Sequence, residues 1–421
     1  MRIIERELSL CSNCLRVIPA DIVEENGKVY MVKNHCQSEK VLLDNDAKFF
    51  KKWNFPFRVP LNIRVGQSYE ELRREILKEW FSDPHLYVTL KCNMNCPICF
   101  QKCYLNKGED LTKAEIEELL KTNKAKRIFL SGGEPTMRED LADIIKFITK
   151  KGRDVIIITN GLKLLDKNYI RSLKEAGLKE VGLSFDGFSD KAYKKLRGRR
   201  LLRIKMRILK NLKEMGMKTS LGGVFTYENL DQIEKIIKFA CLNMDFIRTL
   251  YFIPLSRVLT PSDICKEVAK ALRVRTDYFI EWRKFYFNAY KLLGKLGKRI
   301  QKNFSDLSRL AFLIKVENGK PKPLLSIKEI KELNSFLENP IRIRPRYIIR
   351  LLKLLILYFS HRGDSLVKER ILRKEKILKI CINEIVGPFN IRLKKNTTLG
   401  DYKIAYDGGL IKIPCQVLKP V

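Results

Sequence analysis

At 421 residues and 45% hydrophobic composition, the chain can bury a sizeable core and reads as one large globular domain with appendages, which excludes a disordered protein. No apolar run reaches the roughly 18 residues that span a bilayer, and Met1 to Glu7 lacks the apolar core of a signal peptide, so the eleven cysteines are expected as reduced thiols and metal sites in the cytoplasm. The net charge of +35, from 83 Lys+Arg against 48 Asp+Glu, suits a nucleic acid or an anionic lipid or membrane surface, or else reflects a Lys-rich solvated surface of thermophilic type.

Residues 1–45 form a small cysteine-bearing segment. Cys11 and Cys14 make a C-x2-C knuckle, Asn26-Gly27 is a two-residue hairpin signal, and Cys36 follows the second strand of that hairpin. Knuckle, hairpin and further cysteine read as a rubredoxin- or zinc-ribbon-like site for Fe or Zn. A fourth thiol is missing after Cys36. His35 could complete the site, although adjacent ligands on one metal are awkward; the alternative is a degenerate remnant whose thiols pack as small hydrophobes. Residues 46–84 are read as a linker.

From residue 85 to residue 255 strands and helices alternate. Strand-like runs fall at 86–90, 127–131, 154–159, 180–185, 217–226 and 247–254, and Thr112 with Glu115 is a capping-box signature opening a helix between the first two. Repeats of this kind predict a parallel sheet with right-handed crossovers, α/β in class, and six units would leave an open, partial barrel. Ligands of such sheets sit beyond the carboxyl ends of the strands.

Two motifs fall at those ends. After the first strand come Cys92, Cys96 and Cys99 at C-x3-C-x2-C spacing, with Ile98 before the last thiol. A loop this tight can wrap three thiolates around one inorganic cube and leave one iron without a protein ligand; three thiols with a distant fourth ligand on zinc is the alternative. After the second strand comes Gly132-Gly133-Glu134-Pro135, where two glycines permit close backbone approach and Glu134 can accept from an ammonium group. Thr159-Asn160-Gly161 ends the third strand, and Ser184 with Asp186 ends the fourth; Asn160 and Asp186 can equally be turn residues. Arg197, next along the chain, is read as a surface residue, with a place in the site as the alternative.

This pair of motifs, in this order over about residues 85–255, resembles the radical S-adenosylmethionine (radical SAM) enzymes. The resemblance implies a [4Fe–4S] cluster on Cys92, Cys96 and Cys99, with S-adenosylmethionine held at its methionine end by Gly132, Gly133 and Glu134 and beside Ile98 at its adenine. It further implies that Asn160 and Ser184 touch that cofactor, that an electron donor is needed, and that reductive cleavage yields a 5′-deoxyadenosyl radical that abstracts hydrogen from an unactivated C–H bond. The N-terminal knuckle, Phe252 to Arg257, and Asp407 to Cys415 are similar to archaeal radical SAM proteins of the tetraether-lipid-synthase type, which points to an archaeal membrane lipid as substrate. This chain departs from that type by lacking a fourth N-terminal ligand and a full C-terminal cysteine set. A peptide or RNA substrate is the alternative, and an iron–sulfur sensor or electron carrier is the non-enzymatic one.

Residues 256–421 are expected to be a helical C-terminal extension. Within it, Arg346 to Phe359 combines basic and apolar residues, as either a helix buried against the barrel or an interfacial helix at a membrane surface.

Overall fold

The computed structural model describes residues 1–14, 16–54, 63–68, 71, 85–99, 105–106, 109–122, 125–255, 259–296, 309–338 and 376–383. These fall into two compact units, the first comprising the described residues of 1–71, 225–230 and 252–383, the second those of 85–224 and 231–251. The helix expected at 346–359 and the stretch 407–415 lie outside the described residues.

The first unit opens with an antiparallel meander of β1 (Arg2–Leu10), β2 (Val17–Glu25), β3 (Lys28–Asn34) and β4 (Ser38–Asp44). Asn26 and Gly27 both take positive φ, 51° and 73°, between β2 and β3, which is the primed turn that matches strand twist. One face of the meander packs Ala20, Ile22, Val29 and Met31 against Ala47 and Phe50. The last two belong to α1 (Ala47–Trp53), whose N-cap Asp46 accepts from Phe49 N; the stretch read as a linker therefore starts with a helix docked on the ribbon.

The second unit is a parallel α/β sheet. β5 (His85–Thr89), β6 (Arg127–Gly132), β7 (Asp154–Thr159), β8 (Leu178–Ser184) and β9 (Thr219–Phe225) pair in parallel, each with the next, and β10 (Ile247–Pro254) lies beside β9. Between them run α2 (Lys113–Thr122), α3 (Leu141–Lys150), α4 (Lys167–Glu175), α5 (Asp190–Arg197), α6 (Leu202–Glu214) and α7 (Gln232–Leu242). Apolar spacing explains the helices: α3 buries Leu141, Ile144, Ile145 and Ile148, one stripe at helical period. The capping box forms as expected, with Thr112 N and Oγ1 donating to Glu115 Oε2 at 2.8 and 2.7 Å and Glu115 N donating to Thr112 Oγ1 at 3.2 Å. Because sheet order follows chain order, the loops leaving the parallel strands emerge along one edge, and this places both motifs together.

The first unit resumes with α8 (Pro261–Leu272), α9 (Asp277–Leu296), β11 (Arg309–Glu317), β12 (Lys320–Pro323), α10 (Ile327–Glu338) and β13 (Ile377–Asn383). The C-terminal extension thus has the expected helices, joined by an antiparallel ladder in which β11 pairs with both β12 and β13. No helix among the described residues is long and apolar enough to cross a membrane.

Ile157 is fully buried in β7, between β6 and β8. Replacing it with Ala should cost the second unit about 2–5 kcal/mol, measured by chemical unfolding; a loss below about 1 kcal/mol would contradict the packed sheet.

Candidate functional site

The loop after β5 carries Cys92, Cys96 and Cys99, all half-buried and none in a disulfide. Cys99 N donates to Cys96 O at 3.1 Å and Cys92 N to Asn106 Oδ1 at 3.1 Å, so the turn containing Ile98 is fixed at both ends. Cys92 and Cys96 lie against a cluster of Met94, Tyr193 and Leu201. Burial pushes the Cys92 thiol up to about 11, against a backbone hydrogen bond from Met94, and the negative charges of Glu134, Cys96 and Cys99 add to the rise. A thiol so placed becomes a ligand when a cationic metal centre offsets that penalty.

The glycines of the second motif bring the chain's own backbone close. Gly132 has φ of 136°, and a Cβ there would lie 2.0 Å from Thr89 O; one on Gly133 would lie 2.5 Å from Lys91 O and 2.6 Å from Leu90 O. Gly133 N donates to Thr89 O at 2.9 Å and Glu134 N to Lys91 O at 2.8 Å. The end of β6 is thereby laid against the start of the cysteine loop.

Glu134, 1% exposed, is the hub. Its Oε1 accepts from Thr136 N at 3.1 Å, Thr136 Oγ1 at 2.6 Å and Thr159 Oγ1 at 2.6 Å, and its Oε2 accepts from Asn160 N at 2.7 Å. A carboxylate has about four lone-pair sites across two oxygens, and Oε2, with one of these partners, keeps capacity for a further donor such as an ammonium group. Asn160 Nδ2 in turn donates to Asn93 Oδ1 at 2.8 Å, so the end of β7 grips the cysteine loop directly. Asn160 Oδ1 also accepts from Leu162 N at 3.0 Å, the turn role expected of it.

Further along the edge, Asp186 is fully buried and is no simple turn residue: it accepts from Arg197 Nε at 2.7 Å, Arg197 Nη2 at 2.8 Å and Val224 N at 3.0 Å. Arg197 corrects the expectation of a surface residue. Its side chain is 16% exposed; burial opposes its charge, and Asp186 outweighs that and drives its pKa up, with Cys96 adding to the rise. Ser184 Oγ accepts from Lys205 Nζ at 2.9 Å. Lys205 was not singled out from the sequence, although a signal existed: it stands in the buried stripe of α6 with Leu201, Ile208 and Leu212.

A second centre lies in the N-terminal meander. Cys11, Cys14, Cys36 and His35 offer ligand atoms within 4.8 Å of one another, with His35 Nδ1 3.3 Å from Cys36 Sγ and 3.7 Å from Cys14 Sγ. The adjacency of residues 35 and 36 is no obstacle, because both ligand atoms, carried on the tight turn from β3 to β4, fall within the same 4.8 Å group. Burial raises the Cys11 thiol, but hydrogen bonds from the backbone of Cys14, Asn13 and Cys36 and from His35 prevail and bring it down to about 6, an environment prepared for a thiolate. Beneath the knuckle, buried Lys33 Nζ donates to Leu10 O at 3.1 Å and pairs with Glu39 at 2.7 Å.

Residues 86–240 match the model of the radical SAM superfamily. They are a radical SAM domain. Residues 3–38 match a second model, described as the HMPTM N-terminal zinc ribbon domain. The chain is 36% identical over 275 residues to 7,8-dihydro-6-hydroxymethylpterin dimethyltransferase of Methanocaldococcus jannaschii, covering 60% of this chain and 53% of that one. It is 28% identical over 204 residues to GTP 3′,8-cyclase of Clostridium perfringens, covering 45% and 62%. The chain therefore spans little more than half the length of these curated relatives. Among solved structures it is similar to Streptococcus suis SuiB bound to precursor peptide SuiA, at 17% identity and a TM-score of 0.40 over 62% of this chain and 69% of that one. A radical SAM domain works with a [4Fe–4S] cluster and S-adenosylmethionine, and the zinc-ribbon match with its four-ligand group supports a second metal.

Since two carbonyl oxygens fill the space beside Gly133, Gly133→Ala should displace the start of the cysteine loop from the end of β6. Anaerobic reconstitution of that variant should give at most half the wild-type iron and sulfide at the loop, while the N-terminal metal is retained. Wild-type loading would show that the two backbones need not touch.

Proposed function

We propose that this chain is a radical SAM enzyme whose cluster is ligated by Cys92, Cys96 and Cys99, with Gly132, Gly133 and Glu134 at the methionine end of S-adenosylmethionine. Ile98, Asn160 and Ser184 complete the cofactor site in this reading. The observation that carries it is the linkage of the three-thiol loop to the Glu134 carboxylate through Asn160, by bonds of 2.7 and 2.8 Å. Held by Cys92, Cys96 and Cys99, the cluster would supply the one-electron reduction of S-adenosylmethionine to methionine and a 5′-deoxyadenosyl radical able to take a hydrogen atom from substrate. The protein's own part is placement. Glu134 is held by four donors with acceptor capacity left on Oε2, Arg197 stands charged beside Cys96, and Met94, Tyr193 and Leu201 back the thiols with apolar surface that keeps water out.

For the substrate, the reading supported best is a planar nitrogen heterocycle. The two curated relatives are named for a pterin and for GTP, and the match to the first is accompanied by the zinc-ribbon match over residues 3–38. The archaeal-lipid reading rested on the knuckle, which the zinc ribbon accounts for, and on the stretches 252–257 and 407–415, of which 256–257 and 407–415 lie outside the described residues. Neither relative's name refers to a lipid or an RNA.

At the N-terminus, Cys11, Cys14 and Cys36 are proposed to hold one zinc or iron with His35 as fourth ligand in place of the missing fourth thiol.

Anaerobically reconstituted protein given a strong reductant should convert S-adenosylmethionine to 5′-deoxyadenosine, and replacing Cys92, Cys96 and Cys99 by Ala should abolish it. Undiminished product in the triple variant would sink the assignment. Among a pterin, a purine nucleotide and an isoprenoid lipid, one of the heterocycles should raise 5′-deoxyadenosine formation several-fold; a rise with the lipid alone would overturn the heterocycle reading.

Metal analysis checks the second centre. Ala at Cys11, Cys14 and Cys36 should remove about one metal ion per chain and leave loop iron unchanged. His35→Ala should weaken that ion's retention against a chelator, and equal retention would remove His35 from the ligand set.

A further inference from the structure

We propose that Lys205 is a positioning residue of this site: its buried ammonium joins the ends of β7 and β8 and so fixes Asn160 and Ser184 where S-adenosylmethionine would sit. The proposal rests on the radical SAM reading above. Pairing between β7 and β8 ends at Thr159 opposite Leu183. Asn160 O and Ser184 O are thus the first carbonyls past that ladder, where neighbouring strands part. Lys205 enters this gap from α6, with Nζ 2.7 Å from Asn160 O, 2.6 Å from Ser184 O and 2.9 Å from Ser184 Oγ. An ammonium has three donors, and all three are used.

The clamp extends on both sides. Asn160 also bonds Glu134 through its N–H and Asn93 of the cysteine loop through its side chain, so a shift of Asn160 O would be felt by both motifs. Beyond Ser184, Asp186 is held by Arg197. Lys205 is 1% exposed, and burying a cation costs several kcal/mol unless its donors are satisfied. An apolar side chain would fill the same stripe of α6 without that cost, so the ammonium is retained for what it grips. Burial lowers Lys205 to about 7, partly offset by Asp186, with Arg197 adding to the fall.

The test uses the full chain with its cluster reconstituted anaerobically. Lys205→Met keeps the length and apolar stem of the side chain and removes the three donors. Its iron content should match the wild type, while its dissociation constant for S-adenosylmethionine, read by equilibrium dialysis, should rise at least tenfold. The electron paramagnetic resonance change that S-adenosylmethionine produces in the reduced wild-type cluster should be diminished in the variant. Unchanged affinity at full iron content would show Lys205 to be structural only and overturn the proposal. If Lys205→Met fails to fold, amide hydrogen exchange of the wild type without S-adenosylmethionine decides: the amides of 160–162 and 184–186 should be among the slowest in the second unit, and rapid exchange there overturns the clamp. A wild type that binds no S-adenosylmethionine would overturn the functional reading instead, and the exchange result would stand apart from it.

Discussion

One buried carboxylate sets the geometry on which the rest of this site depends. Glu134 draws donors from its own 3-10 turn and from the end of β7, and its backbone N–H is tied to the first residues of the cysteine loop. Charge-assisted bonds to a buried carboxylate are about twice as strong as neutral ones, and losing any of them leaves a desolvated charge. Three strand ends and the thiol loop are therefore held in one arrangement before any cofactor arrives. The two glycines serve the same end by steric means, since any side chain at 132 or 133 would push β6 away from β5.

The chain carries two groups of thiols, one in each unit. The N-terminal knuckle and its hairpin converge four donors within 4.8 Å, the scale of one tetrahedral ion. In the loop after β5, Cys92 and Cys96 pack against Met94, Tyr193 and Leu201.

Much of this architecture was legible in the sequence. Apolar runs bounded by turn residues gave the six strands to within two residues at each end, because a strand covered on both faces reads as a continuous hydrophobic stretch. Asn26-Gly27 and Thr112 with Glu115 specified their turn and cap through local bonds alone. Arg197 and Lys205 are not legible in the sequence for a shared reason: their partners are set by tertiary structure. Lys205 meets Ser184 and Asn160 across 21 and 45 residues, and Arg197 meets Asp186 across 11. His35 is nameable from the sequence as the completing ligand despite its adjacency to Cys36, and its ligand atom lies within 4.8 Å of the three thiols. A lysine within the apolar stripe of an amphipathic helix was the local anomaly that could have drawn attention.

The central claim is that Cys92, Cys96 and Cys99 hold a four-iron cluster with one iron left for S-adenosylmethionine. Mössbauer spectroscopy on protein reconstituted with iron-57 tests it most directly. The account predicts a [4Fe–4S] spectrum in which S-adenosylmethionine shifts the signal of one iron out of the four and leaves the others in place. A spectrum of isolated tetrahedral iron, or a cluster whose irons all ignore S-adenosylmethionine, would contradict it.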